Sequence, residues 1–467
     1  MMAASLTIQE RHFNRLREIM QHSSSEGAAY LLCGQASIST DAWNGQQHAK
    51  FISYDVLEIP SEEIISRSTM HITWMTNSIV RALKLAQEKQ LVVAIVHSHS
   101  DLTKFSDQDD ANEPYLVELC QHRNGLEAKL LSLIFVQTGE LIGRLWLNSK
   151  ESIPLTLIQV VGKSIKLHYK DRGRGLPLNI FHRQALAFGE SLNQDLAKLR
   201  IGVVGCGGTG SAVAMLLARL GVGYIALFDP DTIEETNLNR LHGAFANDAV
   251  NHLPKVEVIA RSLAGLENTQ IRTFQMRVGD SSCQDALKSC DILFGCTDDH
   301  AGRFLLNRFA YYYVTPVIDL GLASELSNDE PPVVKCLDGR VTVLLPENTC
   351  LMCREIINPI QVRDENLKYE DSKEYNQRKS ESYILGEGNP SPAVVTFTTE
   401  VASMAIQELI HRLQGFRGTD GAIDNRIRKF HLMEDRKVGC KPKTSCPVCD
   451  SPEHWGAGDV EPFLGVL

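Results

Sequence analysis

The segment from Ile201 to Asp229 constrains this chain more than any other. Ile201-Gly202-Val203-Val204 is an apolar run of the length a buried strand needs. It leads directly into Gly205-Cys206-Gly207-Gly208-Thr209-Gly210-Ser211, and an apolar stretch of helical character follows to Leu220. A second apolar strand, Tyr224 to Phe228, ends at Asp229. Strand, glycine turn, helix and strand open a parallel, doubly wound α/β sheet. In such a turn Gly205, Gly207, Gly208 and Gly210, with Thr209, let the backbone approach a phosphate closely. The helix N-terminus adds free N–H groups and partial positive charge. Asp229, one helix and one strand further on, stands where an acid binds ribose hydroxyls. This much fits a nicotinamide dinucleotide as well as ATP, so an NAD-dependent oxidoreductase is one alternative reading.

The residues that follow separate the two. Arg240 and Lys255 are two cations that could hold a triphosphate, because in-line transfer at phosphorus needs charge neutralised on the leaving pyrophosphate. Asp298 follows another apolar strand, at the end where ligands bind in open α/β sheets. The order Asp229-Pro230-Asp231, Asn237-Leu238-Asn239-Arg240, Pro254-Lys255 and Cys296-Thr297-Asp298 resembles the signature of the ThiF/MoeB and ubiquitin-activating adenylyltransferases, over about residues 180 to 467. The resemblance implies a Rossmann-like domain that uses ATP and Mg²⁺ to adenylate the C-terminal glycine carboxylate of a ubiquitin-like protein. Asp231 and Asn237 then belong to the nucleotide site, and Asp298 holds Mg²⁺. His182-Arg183-Gln184 resembles the family's Arg-Gln element, which implies that Arg183 reaches a partner subunit's site in a homodimer.

Cys350-Leu351-Met352-Cys353 and Cys446-Pro447-Val448-Cys449 are two C-x-x-C pairs. Two such turns offer four thiolates to one tetrahedral, structural Zn²⁺ with no position left for water. A redox dithiol would need only one pair. The resemblance carries the pairs over directly. One departure bears on mechanism: no cysteine lies between Cys353 and Cys440, where thioester-forming members of the family carry theirs. An acyl-adenylate handed to a downstream conjugating or sulfur-carrier protein is the expected product.

The N-terminal part carries a second constellation. The apolar run Leu91 to Val96 ends in His97-Ser98-His99, and Ser106-Asp107-Gln108-Asp109 follows. Two histidines at i and i+2 on an extended segment, with one carboxylate, supply three zinc ligands and leave a fourth position for water. Ser106 reads as a helix N-cap, which places Asp109 rather than Asp110 one turn inside the helix. The pattern resembles the H-x-H…S-x-x-D motif of the JAB/MPN metalloproteases, over about residues 15 to 150. That resemblance implies a mixed α/β domain that cleaves peptide or isopeptide bonds after ubiquitin-like proteins. It implies that Glu26 is the base, that Ser106 helps hold the oxyanion, and that His97, His99 and Asp109 bind Zn²⁺. Ser100 stands where the family has proline. The alternative is a non-catalytic docking scaffold.

Three segments follow: a JAB/MPN-like domain over 1–155, a charged, glycine-rich linker over 156–179, and the adenylation domain over 180–467. The opening stretch reads as helical, as do residues around 70–88, where His71 and Trp74 are packing residues. Residues 363–390 read as a long charged loop. A net charge of −10 without basic clusters argues against a nucleic-acid partner. No apolar run reaches membrane-spanning length, and the opening segment lacks the apolar core of a secretory signal. Twelve cysteines, some in close pairs, fit metal binding in a reducing, cytoplasmic setting.

Overall fold

Two units organise the chain in the computed structural model, which describes residues 2–21, 25–68, 71–99, 104–171, 179–266, 268–327, 329–330, 333–380 and 393–460. The first unit is built on β1 (Ala3–Gln9), β2 (Ala28–Ile38), β3 (His48–Glu58), the small hairpin β4 (Ile64–Arg67) and β5 (Ile72–Trp74), then β6 (Val92–His99), β7 (Leu130–Val136), β8 (Leu141–Asn148), β9 (Glu151–Pro154), β10 (Leu157–Val161) and β11 (Ile165–Tyr169). All but the hairpin form one nine-stranded sheet in the order β11-β10-β1-β3-β2-β6-β7-β8-β9. Helix α1 (Glu10–Gln21) buries Phe13, Leu16 and Met20, three positions on one helical stripe, in the core on one face of the sheet. Helix α2 (Thr76–Glu88) does the same on the other face with Ile79, Ala82, Leu83 and Ala86. Helix α3 (Asp107–Asn124) adds Val117 and Cys120 to that second core. Strand β6 is paired on both edges, to β2 and β7, and seven of its eight residues are buried, which is why it reads as a continuous apolar run.

Several expectations need correction here. The opening stretch is not helical throughout: Ala3–Gln9 is a buried strand in mid-sheet, and the helix starts at Glu10. The expected linker over 156–179 begins instead with β10 and β11, whose Leu157, Ile158, Val160, Val161, Ile165 and Leu167 are core residues. The charge and glycine that suggested a linker are concentrated at 170–175, and residues 172–178 lie outside the described residues. Trp74 ends β5, ahead of α2, and its indole N–H donates to the Tyr30 hydroxyl at 2.6 Å. The chain end does not belong wholly to the second unit. Residues 453–460 group with the first, where Asp459 N donates to Gln35 O at 2.8 Å and the Asp459 carboxylate accepts from Ser37 N at 2.7 Å.

The second unit holds α4 (His182–Phe188), α5 (Glu190–Lys198), β12 (Arg200–Val204), α6 (Gly208–Leu220), β13 (Tyr224–Phe228), α7 (Ala246–Val250), α8 (Lys255–Leu263), β14 (Gln270–Phe274), α9 (Gln284–Lys288), β15 (Ile292–Gly295), α10 (His300–Tyr312), β16 (Val317–Leu326), β17 (Val334–Leu344), α11 (Pro359–Glu370), α12 (Ser372–Ser380), α13 (Val395–Gln414), β18 (Asn425–Lys429) and β19 (Glu434–Lys437). Its eight strands run β14-β13-β12-β15-β16-β17-β18-β19. The first five are parallel and the last three add antiparallel. The strand order reverses between β12 and β15, which makes the crevice at their carboxyl ends the topological switch point where such sheets bind ligands. The expected loop over 363–390 is helical in α11 and α12, with Pro359 at the start of α11 and an Asn358 cap. Residues 381–392, including Gly386, Gly388, Pro390 and Pro392, lie outside the described residues. No helix among the described residues is long and apolar enough to cross a membrane.

Candidate functional site

A cavity of about 420 Å³ opens at that switch point. Its floor is the glycine turn, with Gly205, Gly207, Gly208 and Thr209 among the lining residues. Gly210 does not line the cavity. It lies beneath it, so tightly packed that a Cβ there would sit 1.8 Å from the Gly205 carbonyl oxygen. Gly205 has φ +89°, a left-handed conformation that favours glycine. At Gly207 a Cβ would meet nothing within 4 Å, so the open space faces this residue. The turn thus divides between glycines that pack backbone on backbone and one that leaves room for a ligand.

Asp229 is buried, and its carboxylate accepts from Cys206 N at 2.6 Å and Asp231 N at 2.9 Å. Part of its acceptor capacity therefore holds the glycine turn in shape. Burial raises its pKa, against the opposing pull of Lys255. Lys255 donates its N–H to Asp231 O at 3.0 Å, and its ammonium lies 2.7 Å from Asp231 Oδ2. Burial alone would lower the Lys255 pKa, but Asp229, Asp231 and Asp298 together more than offset it and hold the ammonium charged. Asn237 is buried, and its side-chain oxygen accepts from Glu234 N at 3.1 Å, which fixes the short turn carrying Arg240. The aliphatic part of Arg240 lies against Gly208, and its guanidinium donates to Thr236 O at 2.6 Å. Asp298 is exposed at the cavity wall, three residues beyond β15. Asp231, Asn237, Arg240, Lys255 and Asp298 all line the one cavity. Arg183 does not: it is exposed on α4, away from the cavity of its own chain.

Two lining cations escaped the sequence reading. Arg303 lies on the first turns of α10, with Nε 3.6 Å from Asp319 Oδ1. Arg277 follows β14, and its guanidinium lies 3.2 Å over the Tyr369 ring. Both come just after strands of the parallel sheet, so the rule that ligands gather at strand carboxyl ends could have found them.

The two cysteine pairs converge. Cys350 Sγ lies 3.7 Å from Cys446 Sγ, and Cys353 Sγ 3.6 Å from Cys449 Sγ. Four sulfurs around a tetrahedral zinc, at Zn–S of about 2.3 Å, stand about 3.8 Å apart, so the donor set fits that ion. The thiols also cannot all ionise unaided. Hydrogen bonding from Cys449 pulls Cys350 down to about 5, while burial pushes Cys353 up to about 11. A cation would release the remaining protons.

Residues 181–449 match the ThiF family. This chain belongs to the ThiF family. Among curated relatives it is similar to "Adenylyltransferase and sulfurtransferase UBA4" of Yarrowia lipolytica, 33% identical over 34% of this chain and 41% of that one. It is similar to "Sulfur carrier protein ThiS adenylyltransferase" of Escherichia coli, 30% identical over 55% of this chain and 88% of that one. It is also similar to "Ubiquitin-like modifier-activating enzyme 5" of Oryza sativa, 26% identical over 33% of this chain and 37% of that one. The chain thus spans less than half the length of the first and third of these ThiF-like relatives.

Outside the ThiF-matched stretch, the first unit gathers the other predicted residues. His97 and His99 end β6 on one face, both buried, with their Nε2 atoms 3.0 Å apart. Asp109 Oδ1 lies 3.2 Å from His97 Nε2, and Oδ2 lies 3.5 Å from His99 Nε2. Ser106 caps α3, and its hydroxyl and N–H both donate to Asp109 Oδ2, at 2.7 and 2.8 Å. Burial opposes the Asp109 carboxylate, but His97 and Ser106 outweigh it and hold the group well below the usual carboxylate range. Asp110 turns away and pairs with Arg144 at 2.5 Å. Glu26 is buried just ahead of β2, and burial pushes its pKa up to about 6, with His97 opposing and Asp109 adding to the rise. Two imidazole nitrogens and a carboxylate at these separations fit the donor set of a three-ligand zinc site. Residues 100–103, with Ser100, lie outside the described residues.

Proposed function

We propose that this chain adenylates the C-terminal carboxylate of a ubiquitin-like or sulfur-carrier protein, using ATP and Mg²⁺. The observation that carries this reading is the convergence of Arg240, Lys255 and Asp298 on one cavity above the glycine turn. In the proposed reaction the substrate carboxylate oxygen attacks the α-phosphorus, the acyl–phosphate bond forms, and pyrophosphate leaves. The N–H groups at the start of α6 and the side chains of Arg240 and Lys255 neutralise charge that grows on the leaving group. Mg²⁺, with Asp298 as its ligand, supplies further charge neutralisation when bound. Asp229, besides holding the turn, has acceptor capacity left for a ribose hydroxyl. Two relatives are named for partners of this kind, a sulfur carrier protein in one and a ubiquitin-like modifier in the other. A nicotinamide-dependent oxidoreductase accounts for the glycines and Asp229 only. Because no cysteine lies between Cys353 and Cys440, the proposed product is the free acyl-adenylate. A homodimer is part of the proposal, with exposed Arg183 as a cation for the second copy's cavity. ATP–pyrophosphate exchange in the presence of a Gly-ended partner tests the reading. Lys255→Ala and Asp298→Ala are each expected to lower exchange about 100-fold or more. Exchange equal to wild type in both variants would refute it.

A second activity rests on a separate observation, the clustering of His97, His99 and Asp109 beside Glu26. The proposal is a JAB/MPN-type zinc (iso)peptidase that trims the same tail or removes it from conjugates. Zinc supplies an activated water when bound. Glu26, with a pKa near 6, is suited to take a proton and pass it to the leaving amine. Ser106 N–H holds Asp109, and the Ser106 hydroxyl, turning from Asp109 to the substrate, is the proposed oxyanion donor. Cleavage of a tailed precursor that survives chelation and His97→Ala would refute zinc proteolysis, and no cleavage by the zinc-loaded chain would leave the docking scaffold as the better reading.

A further inference from the structure

The antiparallel end of the second unit carries a cluster that neither proposed activity uses. Cys336 and Asp338 stand at i and i+2 on β17 and so share one face of the strand. Lys429, the last residue of β18, pairs with Asp338. The chain then makes a single turn, Phe430–Leu432, closed by Met433 in the left-handed conformation at φ +55°. That turn brings His431 back over β17. One ligand atom from each of Cys336, Asp338 and His431 lies within 4.8 Å of the other two.

We propose that Cys336, Asp338 and His431 form a further metal site, selective for Zn²⁺ or a similarly thiophilic divalent cation. Thiolate, imidazole and carboxylate are the three side-chain donors zinc takes. The histidine is oriented by the strand it faces: its Nδ1 lies 3.1 Å from Leu337 N and 3.3 Å from Leu337 O. Leu337 N–H donates to Nδ1, which holds the imidazole over β17 beside Asp338. A second, independent sign is Asp338 Oδ1. It is buried and has no hydrogen-bond partner among the described residues, and the nearest cationic candidate, His431 Nδ1, stands 3.6 Å away. A buried carboxylate oxygen left without a donor calls for a cation. A divalent cation would satisfy this oxygen and take Cys336 and His431 as its other ligands. With three protein ligands and partial exposure, one coordination position stays open to water or an outside donor. The site also ties the 430–432 turn to β17. In the neighbouring strand β16, Leu320, Gly321 and Leu322 line the nucleotide cavity, and Leu322 pairs with Gly339.

The test is metal binding by the full chain, stripped with a chelator and titrated with Zn²⁺ alone. Cys336→Ser and His431→Ala are each expected to take up one zinc ion fewer per chain than wild type. Cys446→Ser is expected to lose a different ion. Loading with Co²⁺ adds a readout that does not depend on the total: the thiolate-to-cobalt charge-transfer band should fall by about a fifth in Cys336→Ser, one thiolate of five. His431→Ala changes a side chain at the surface and keeps every thiol, so a folded protein is expected. Unchanged zinc stoichiometry in folded His431→Ala, or a cobalt band in Cys336→Ser equal to wild type, overturns the proposal. Neither outcome touches the adenylation reading, which the pyrophosphate assay decides alone.

Discussion

Replacing Gly210 with alanine separates packing from ligand binding within the glycine turn. An alanine Cβ at 210 would lie 1.8 Å from the Gly205 carbonyl oxygen and 2.9 Å from its carbon. Contacts of this kind stay beyond 3.0 Å, so α6 and the turn must part by 3.0 − 1.8 = 1.2 Å. Both atoms belong to backbone held in place, by the β12–β13 pairing on one side and α6 on the other, so no side chain can swing clear. Overpacking of a tight site costs about 1–3 kcal/mol, and a backbone-on-backbone clash belongs at the upper end. At about 2–4 °C per kcal/mol for a domain of this size, the melting temperature falls roughly 6–12 °C. Gly207→Ala is the matched control. Its φ of −74° suits alanine and its Cβ meets nothing within 4 Å, so stability changes by only about 0.5 kcal/mol. Because Gly207 lines the cavity, its methyl group instead takes space from the phosphates and weakens ATP binding about tenfold. Thermal melts with and without ATP, and ATP titration by calorimetry, read both effects. The reasoning fails if Gly210→Ala melts with wild type, or if Gly207→Ala binds ATP as tightly as wild type.

Further outcomes follow from other parts of the molecule. His12 is buried with Nδ1 2.9 Å from Ser53 Oγ, and burial, with Arg11 beside it, lowers its pKa from 6.5 to about 3. The folded value is depressed, so the neutral ring stabilises the fold fully above pH 6.5 and loses that contribution as pH falls towards 3. The loss is about 1.4 kcal/mol per pH unit, and urea midpoints between pH 7 and 5 should fall less in His12→Asn than in wild type. Asp109→Asn should lose one zinc ion per chain while Asp110→Asn keeps it, since only Asp109 faces the histidines. Equal loss in both would show that charge near α3, rather than ligation, matters. Cys446→Ser should release the four-cysteine zinc and melt well below wild type, and a chelator should reproduce the shift in wild type.

The candidate site residues were legible in the chain because each sits where local rules fix its surroundings. Glycines between a strand and a helix, a serine three residues before Asp109, and cysteines in C-x-x-C turns need few distant contacts to be recognised. The same holds for β6 and β12, paired on both edges and apolar over 92–96 and 201–204. Where the reading failed, the deciding contacts were long-range. Ser5 to Gln9 alternates polar and apolar residues, a run too short to outweigh the helical residues after it, and Ala3–Gln9 becomes a strand because β10 and β3 flank it. β10 and β11 looked like the start of a linker until the sheet gave their apolar residues a core.

The amino-acid order by itself determined the two halves, their candidate ligands and the glycine turn, since those depend on neighbours a few residues away. Only the tertiary structure decided which glycine is packed and which is open, that Asp110 goes to Arg144, and that residues 453–460 join the first unit. It alone brought His431 to Cys336 and Asp338 from almost a hundred residues away. The physical reason is that hydrogen-bond partners and close approach are properties of the sheet register, and register is set by burial across the whole chain.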